Sequence, residues 1–317
     1  MAVKRALVLS GGGAKGGYQV GALKHIIKDL GVTYDVITGT SVGALNGAYL
    51  AQYPKGNEIH GIAELEKIWR NKVSPKRIWK HRWQAYVLKS LSLWLLPWSL
   101  CDAVAFLVSN SVYKSEPLQQ FVRDLFDPVA VTNSGKELRV GAVSLTTGRR
   151  RVWTERDTTY LTKAVLASSS YPVFFEPIEI DGEVFTDDGI REITPLEGAI
   201  QAGATEIDVI TLSDDSNLYY PSSARGLDIV SSLLSAMTAE IDKNDLRIAG
   251  LYNIAVPLAH QNEMPSELEN KRVVKIRHLH PETKLKSGLD FSPNRVISDI
   301  DLGYRDAHKI DWLSLDN

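Results

Sequence analysis

Gly39-Thr-Ser41-Val-Gly43 sits between a short aliphatic run and a helical pattern. Its residue types suit nucleophilic attack by a serine. Such a serine needs its Oγ lifted clear of the backbone, and a sharp strand-to-helix turn does this at the cost of crowding. Glycines two residues to either side remove the Cβ atoms that would clash. The helix that follows directs its first amides and positive dipole end at the hydroxyl, which favours negative charge there. A plain turn with a serine N-cap has the same composition. The strand before and the helix after favour the nucleophile.

A second stretch, Gly11-Gly12-Gly13-Ala14-Lys15-Gly16, also follows an aliphatic run and precedes a helix. Consecutive glycines expose backbone N–H groups, and a helix N-terminus adds its field, so the stretch can hold an anion. A phosphate fits the Gly-Xaa-Gly-Xaa-Xaa-Gly pattern. A tetrahedral oxyanion of acyl transfer fits equally. A dinucleotide fold asks for an acidic residue at the end of the second strand, whereas Asp35 begins that strand. Lys15-Gly16 also lacks the Lys-Ser/Thr of a P-loop. Neighbouring strand ends in a parallel sheet share one carboxyl edge, which would bring the anion site beside Ser41.

A serine needs a base. The seven histidines (25, 60, 81, 260, 278, 280 and 308) occupy no distinctive loop after a late strand and read as surface or structural. His278 and His280 could share a strand face, but no third metal ligand is evident. Asp187-Asp188-Gly189 follows the strand pattern Val184-Phe-Thr186. A partly desolvated carboxylate there would have a raised pKa and could take the serine proton directly. A solvated Asp-Gly turn is the bland alternative, and either aspartate could be the base.

These loops need a sheet to hold them. Strands are expected at Arg5–Leu9, Asp35–Thr38, Leu138–Leu145, Arg151–Thr154, Val184–Thr186, Ile207–Leu212 and Val273–Arg277. A helix with Val20, Leu23, Ile27 and Leu30 on one face should stop at Gly31, and another carries Val42, Leu45 and Tyr49. Strand alternating with helix indicates an α/β fold, three layers deep with a mostly parallel central sheet. Residues 55–130 read as a helical insertion with Trp69, Trp79, Trp83, Trp94 and Trp98. A helix over 226–249 should bury Leu227, Val230, Leu234, Met237 and Ile241. It should leave Glu240, Asp242, Lys243, Asp245 and Arg247 solvated. The expected organisation is one domain over 1–317, with a core over 5–212 and a stretch over 213–317 that carries no readable motif.

The 317 residues hold 36 basic and 38 acidic side chains, for a net charge of −2. That balance excludes disorder and gives no support to nucleic-acid binding. The single cysteine, Cys101, rules out an internal disulfide framework and suits a reducing compartment. The opening apolar stretch is too short for a signal peptide, so a cytoplasmic location is expected. Ser90–Cys101 carries no charge and is rich in leucine and tryptophan. It could be a buried cap, or an interfacial element over 85–108 that touches a bilayer. Lys89, Pro97 and Asp102 interrupt any longer run and weigh against a membrane span.

Taken together, the three motifs resemble the patatin-like phospholipases. That family joins a glycine-rich loop, a Gly-Xaa-Ser-Xaa-Gly nucleophile and a later Asp-Gly-Gly/Ala turn in this order. Ala164-Val-Leu-Ala-Ser-Ser-Ser-Tyr-Pro172, Glu116-Pro-Leu118 and Thr147-Gly148 also look familiar, and the similarity covers roughly 5–212. The resemblance implies a patatin-like fold and a Ser–Asp dyad without histidine. Ser41 would be the nucleophile and Asp187 the base, flanked by Gly39 and Gly43 at the elbow and by Asp188 and Gly189 in the supporting turn. Gly11–Gly16 would supply the oxyanion hole, mostly through the Gly12 and Gly13 amides, and no metal or organic cofactor is implied. The substrate would be a phospholipid or other lipid ester, hydrolysed through an acyl-serine. An acyltransferase, or a non-catalytic lipid- or nucleotide-binding relative, would share these motifs. Two departures stand out: Lys15 replaces the family's Arg and loses its planar fork, and Asp188 replaces a Gly. Asp187 is preferred as the base because it leaves Pro195 at the family's spacing.

Overall fold

Alternation along the first strand sets the layers. In β1 (Arg5–Leu9), Leu7 and Leu9 pack into one apolar cluster, and Ala6 and Val8 pack into another on the opposite face. A strand buried on both faces requires helices on both sides of the sheet. The computed structural model describes residues 3–91, 95, 97–98, 100–101, 104, 109–213, 227–261 and 273–310. The expected run over 85–108 therefore lies partly outside the described residues, as does Trp94.

The other strands are β2 (Val36–Gly39), β3 (Lys80–His81), β4 (Tyr113–Lys114), β5 (Glu137–Ser144), β6 (Arg150–Thr154), β7 (Ile178–Ile180), β8 (Glu183–Asp187), β9 (Glu206–Ile210) and β10 (Lys275–Leu279). β3 and β4 form a separate ribbon. In the main sheet β10, β9, β1, β2 and β5 are parallel neighbours in that order, while β6 and β8 pair antiparallel with β5, and β7 with β8. The architecture is α/β with a mostly parallel central sheet. Each expected strand is present within about two residues, and β3, β4 and β7 are additional, the last in the main sheet. It joins β8 through Asp181-Gly182, both at positive φ, the turn that an Asp-Gly pair favours.

The register on β5 decides where the candidate residues go. Arg139 and Val140 pair with both β2 and β6, while Ala142 and Val143 pair with both β6 and β8. A strand residue has only two edges, so β2 and β8 lie end to end along the same edge of β5. β2 stops with Gly39 opposite Val140, and β8, running the other way, stops with Asp187 opposite Ala142. Two residues of β5 separate those ends, about 6.6 Å of strand.

Helices α1 (Gly16–Leu23) and α2 (Val42–Ala51) follow β1 and β2. The turn of α1 widens to π geometry over Lys24–Asp29 and ends at Gly31, which has a φ of 69°. Helix Pro293–Ala307 was not foreseen from the sequence, and it lies directly against α1. A Cβ on Gly21 would strike the Ile300 carbonyl, and one on Gly303 would strike the Tyr18 carbonyl. Tyr18 also donates to Asp306 Oδ2 at 3.1 Å.

The long helix runs Leu227–Gln261, beyond its expected end. Its predicted faces are corrected: Met237 is exposed, whereas Asp242 is buried. Asp242 bonds the Thr194 hydroxyl, and Asp245 accepts the amides of Ile193 and Thr194, both at 3.0 Å. The helix thus turns carboxylates inward because the chain after β8 presents donors that need acceptors.

In the insertion, Glu58–Asn71 and Glu116–Leu125 bury Leu65, Trp69, Leu118 and Phe121. The helix Trp83–Leu91 does the reverse, exposing Trp83, Tyr86, Val87 and Leu91. Among the described residues no helix is long and apolar enough to cross a membrane.

Gly303→Ala tests the seating of the C-terminal helix. Gly→Ala in an open helix stabilises by about 0.5–1 kcal/mol. Here the added methyl meets the Tyr18 carbonyl, so a loss of about 1–3 kcal/mol is expected, read as a lower urea midpoint. A midpoint that rises would mean that the two helices are not in contact.

Candidate active site

Ser41 is the N-cap of α2, with φ 55° and ψ −123°. That conformation costs a non-glycine residue about 1–3 kcal/mol and persists only where neighbours enforce it. Gly39 and Gly43 make it possible: a Cβ on Gly39 would collide with the Gly43 carbonyl, and one on Gly43 with the Leu9 carbonyl. Ser168 and Ser169 hold the elbow. Ser41 N–H donates to Ser168 Oγ at 3.0 Å, and Ser169 Oγ donates to the Ser41 carbonyl at 3.3 Å. The next residue, Ser170, accepts the Asp187 N–H at 3.1 Å and the Thr186 hydroxyl at 2.7 Å. One serine triplet therefore ties the elbow to the end of β8, a positioning role that sequence reading missed. Two hydroxyls, of Ser168 and Ser169, and the backbone carbonyl of Ser170 do this, and the Ser-Ser-Ser run at the end of an apolar helix was the signal.

Asp187 is 1% exposed. Its Oδ1 accepts the Gly189 N–H at 2.8 Å. Its Oδ2 is buried, and no hydrogen bond of regular geometry reaches it. Burial pushes the carboxyl up to about 7, while the nearby Ser41 hydroxyl and the Gly189 N–H pull it down. Serine and aspartate are thus close enough to interact without a closed bond, as is common in sites holding no substrate.

Asp188 turns the other way. Its carboxylate takes Arg150 Nε at 2.9 and 2.8 Å, and Arg150 also contacts Glu192 at 2.5 Å. Burial raises Asp188 to about 7 against the pull of Arg150, and raises Glu192 to about 7 in the same way. The Asp188 carboxylate occupies the space that a Cβ on Gly141 would need. Only Asp187 of the pair lines the cavity described below.

The glycine-rich loop offers fewer donors than its sequence suggests. The Gly11 amide bonds the Ile193 carbonyl, Ala14 the Gly288 carbonyl, Lys15 the Gly12 carbonyl and Gly16 the Gly13 carbonyl. Among the described residues the amides of Gly12 and Gly13 meet no acceptor, nor does that of Val42 just after the elbow. The Lys15 ammonium lies 3.4 Å from the Leu212 carbonyl.

Ser41, Asp187 and the loop Gly11–Gly13 open into a cavity of about 660 Å³. One wall is apolar, built from Leu45, Trp69, Ile78, Leu118, Phe121 and Phe175. Trp69 is fixed by a bond from its indole N–H to Asn46 at 2.9 Å. Among the described residues no histidine lines this cavity. His25 and His308 stack at 3.6 Å beside Asp29, at the junction of the α1 extension with the C-terminal helix, and not at the cavity.

Comparison with known proteins gives the family. The model of the patatin-like phospholipase family matches residues 7–200. The uncharacterized protein YqhO of Bacillus subtilis is 27% identical over 205 residues, covering 60% of this chain and 64% of its own. Lysophospholipase NTE1 of Lodderomyces elongisporus is 22% identical over 318 residues, which is 96% of this chain but 19% of that protein. Among solved structures, VipD from Legionella pneumophila is 14% identical, with a TM-score of 0.45 over 97% of this chain and 66% of VipD. The chain spans less than two thirds of the length of these curated relatives. The match to the family model covers more than half of the 317 residues, and the chain belongs to the patatin-like phospholipase family.

Proposed function

We propose that the chain is a serine-dependent lipid acyl hydrolase working through Ser41 and Asp187. One observation carries this reading: a buried carboxylate with an unclaimed oxygen lies beside a serine strained into the elbow conformation, in a cavity that also receives two unclaimed amides.

In the mechanism, Asp187 Oδ2 accepts the Ser41 proton as Oγ attacks the ester carbonyl. The carbonyl electron pair moves onto its oxygen, where the Gly12 and Gly13 amides hold it. Such donors act on charge that develops only in the transition state, and each is worth about 2.7–4 kcal/mol. The tetrahedral centre collapses, the alcohol leaves with the proton from Asp187, and water attacks the acyl-serine by the same route in reverse. The Leu118–Phe121 wall gives the acyl chain a dry place to lie.

The relatives named lysophospholipase support the substrate class. Membrane contact through the insertion is part of the reading. Trp83, Tyr86, Val87 and Leu91 form an exposed apolar helix face, and interfacial helices bury such faces at the headgroup boundary. Trp98 stacks on His81 at 4.2 Å and Trp79 on Tyr113 at 4.3 Å, fastening the segment to the β3–β4 ribbon.

Ser41→Ala and Asp187→Asn should each lower ester turnover about 10²–10⁴-fold, and Ser41→Ala should abolish fluorophosphonate labelling. Turnover retained in both variants would sink the dyad. The pH profile follows from the raised pKa of Asp187. The base must be ionised, so kcat/KM should rise through about pH 7 and level off above it. Asp188→Asn should keep that limb, because its carboxylate faces Arg150; a limb that disappears with Asp188 would exchange the roles of the two aspartates. Trp83→Glu with Leu91→Glu should reduce co-sedimentation with phospholipid vesicles at least tenfold while leaving turnover of a water-soluble ester in place. Undiminished sedimentation would remove the membrane contact.

A further inference from the structure

The cavity has a second wall, made by chain beyond the family match. Ser231, Ser232, Ser235 and Thr238 come from the long helix, and Lys284, Lys286 and Ser287 from the loop after β10. Lys15 and Lys243 complete it. Among the described residues four lysines therefore line this side. Of the described acidic residues on the same wall, Asp242 is buried and engaged with the Thr194 hydroxyl, which leaves Glu240 exposed.

The loop that carries two of these lysines is held in place. Arg295, itself 5% exposed, donates to the carbonyls of Lys286 (2.9 Å), Ser287 and Asp290 (2.8 Å). The Gly288 carbonyl takes the Ala14 amide at 2.7 Å, fastening the loop to the glycine-rich turn. The backbone that carries Lys284 and Lys286 is thus fastened to the turn beside Ser41.

An ester held at Ser41 has two substituents that leave in different directions. The acyl chain suits the apolar wall, so the alcohol side meets the hydroxyls and ammonium groups. We infer that Lys243, Lys284 and Lys286 form a headgroup subsite that selects lipids whose phosphate headgroup carries net negative charge over zwitterionic ones. This inference rests on the acyl hydrolase reading for its orientation, and on the lining residues for its charge preference. Ammonium groups attract a phosphate whether or not an amine accompanies it, but a choline placed among lysines is repelled, and that repulsion gives the discrimination.

The test separates the two readings by measuring binding in protein that cannot turn over. Ser41→Ala protein is titrated calorimetrically with short-chain phosphatidylglycerol and phosphatidylcholine, both below their micelle concentrations. Phosphatidylglycerol should bind at least tenfold tighter, and its advantage should shrink as salt rises from 50 to 500 mM. Adding Lys284→Gln and Lys286→Gln together should bring the ratio of the two affinities to within about threefold, and Lys243→Gln should lower it further. Inorganic phosphate should compete weakly, because it lacks the acyl chain. Equal affinity for the two lipids, a ratio unmoved by the lysine substitutions, or phosphate competing as well as the lipid would overturn the inference. If the binding preference is present but the wild-type protein turns over neither lipid, the hydrolase reading fails and the subsite stands. If wild-type turnover is present without a preference, the reverse holds.

Discussion

Two strands that approach each other along one edge of β5 must stop before they collide, and that geometric limit shapes the site. β2 halts at Gly39 and β8 at Asp187, opposite residues 140 and 142. Each chain has to leave the sheet at once. The first turns into α2 through Ser41, the second into a single 3₁₀ turn from Asp188. Crowding explains the residue types on both sides. Gly39 leaves room for the Gly43 carbonyl, Gly43 leaves room for the Leu9 carbonyl at the end of β1, and Ser41 accepts a positive φ. A larger residue at either glycine would force the strand ends apart, and with them the serine and the carboxylate.

The meeting point is dry, and dryness has a cost for charge. Two adjacent carboxylates, Asp187 and Asp188, are buried there, and the turn resolves the conflict by sending them to opposite sides. Asp188 is matched by Arg150 across the gap left by Gly141. Asp187 receives one amide and no cation, so its protonated and ionised forms lie close in free energy near neutrality. A base must take a proton and return it, and a carboxylate held in that balance can do both. The residue that departs from the family's usual glycine therefore serves the Arg150 and Glu192 cluster. The charge of Asp188 also helps to raise the pKa of Glu192, while Asp187 and Asp245 help to raise that of Asp188.

Much of this was legible because the governing patterns are local. Aliphatic runs of four or five residues broken by glycine gave the strands, and the Asp-Gly and Gly-Xaa-Ser-Xaa-Gly spacings gave the turns. What stayed hidden depends on partners far away in sequence. The hairpin strand Ile178–Ile180 is only three residues, too short for period-2 alternation to register, although Asp181-Gly182 marked its turn. The Ser292-Pro293 start of the C-terminal helix was a readable helix signal that went unused. Asp242 and Asp245 looked like a solvated face because nothing in the helix itself reveals that Ile193 and Thr194 would need acceptors. Ser168, Ser169 and Ser170 were noticed only as part of a resemblance, and their hydrogen bonds give that stretch a physical reason.

The glycine-rich loop shows the same dependence most clearly. Six residues, Gly11 to Gly16, present six amides, and composition alone treats them alike. Ile193, which follows the Asp187-Asp188-Gly189 turn, claims the amide of Gly11, and Gly288, from beyond the family match, claims that of Ala14. The first turn of the helix claims those of Lys15 and Gly16. What remains is a pair of adjacent donors at Gly12 and Gly13, beside Ser41. Which amides of this loop stay free is therefore decided as much by the acceptors that occupy their neighbours as by the glycines themselves. Since Arg295 fixes the loop that carries Gly288, the C-terminal stretch helps to decide which amides face the cavity. The portion of the chain with no readable motif is thereby joined to the chemistry through two hydrogen-bonded steps: guanidinium to loop carbonyls, and loop carbonyl to the amide next to the hole.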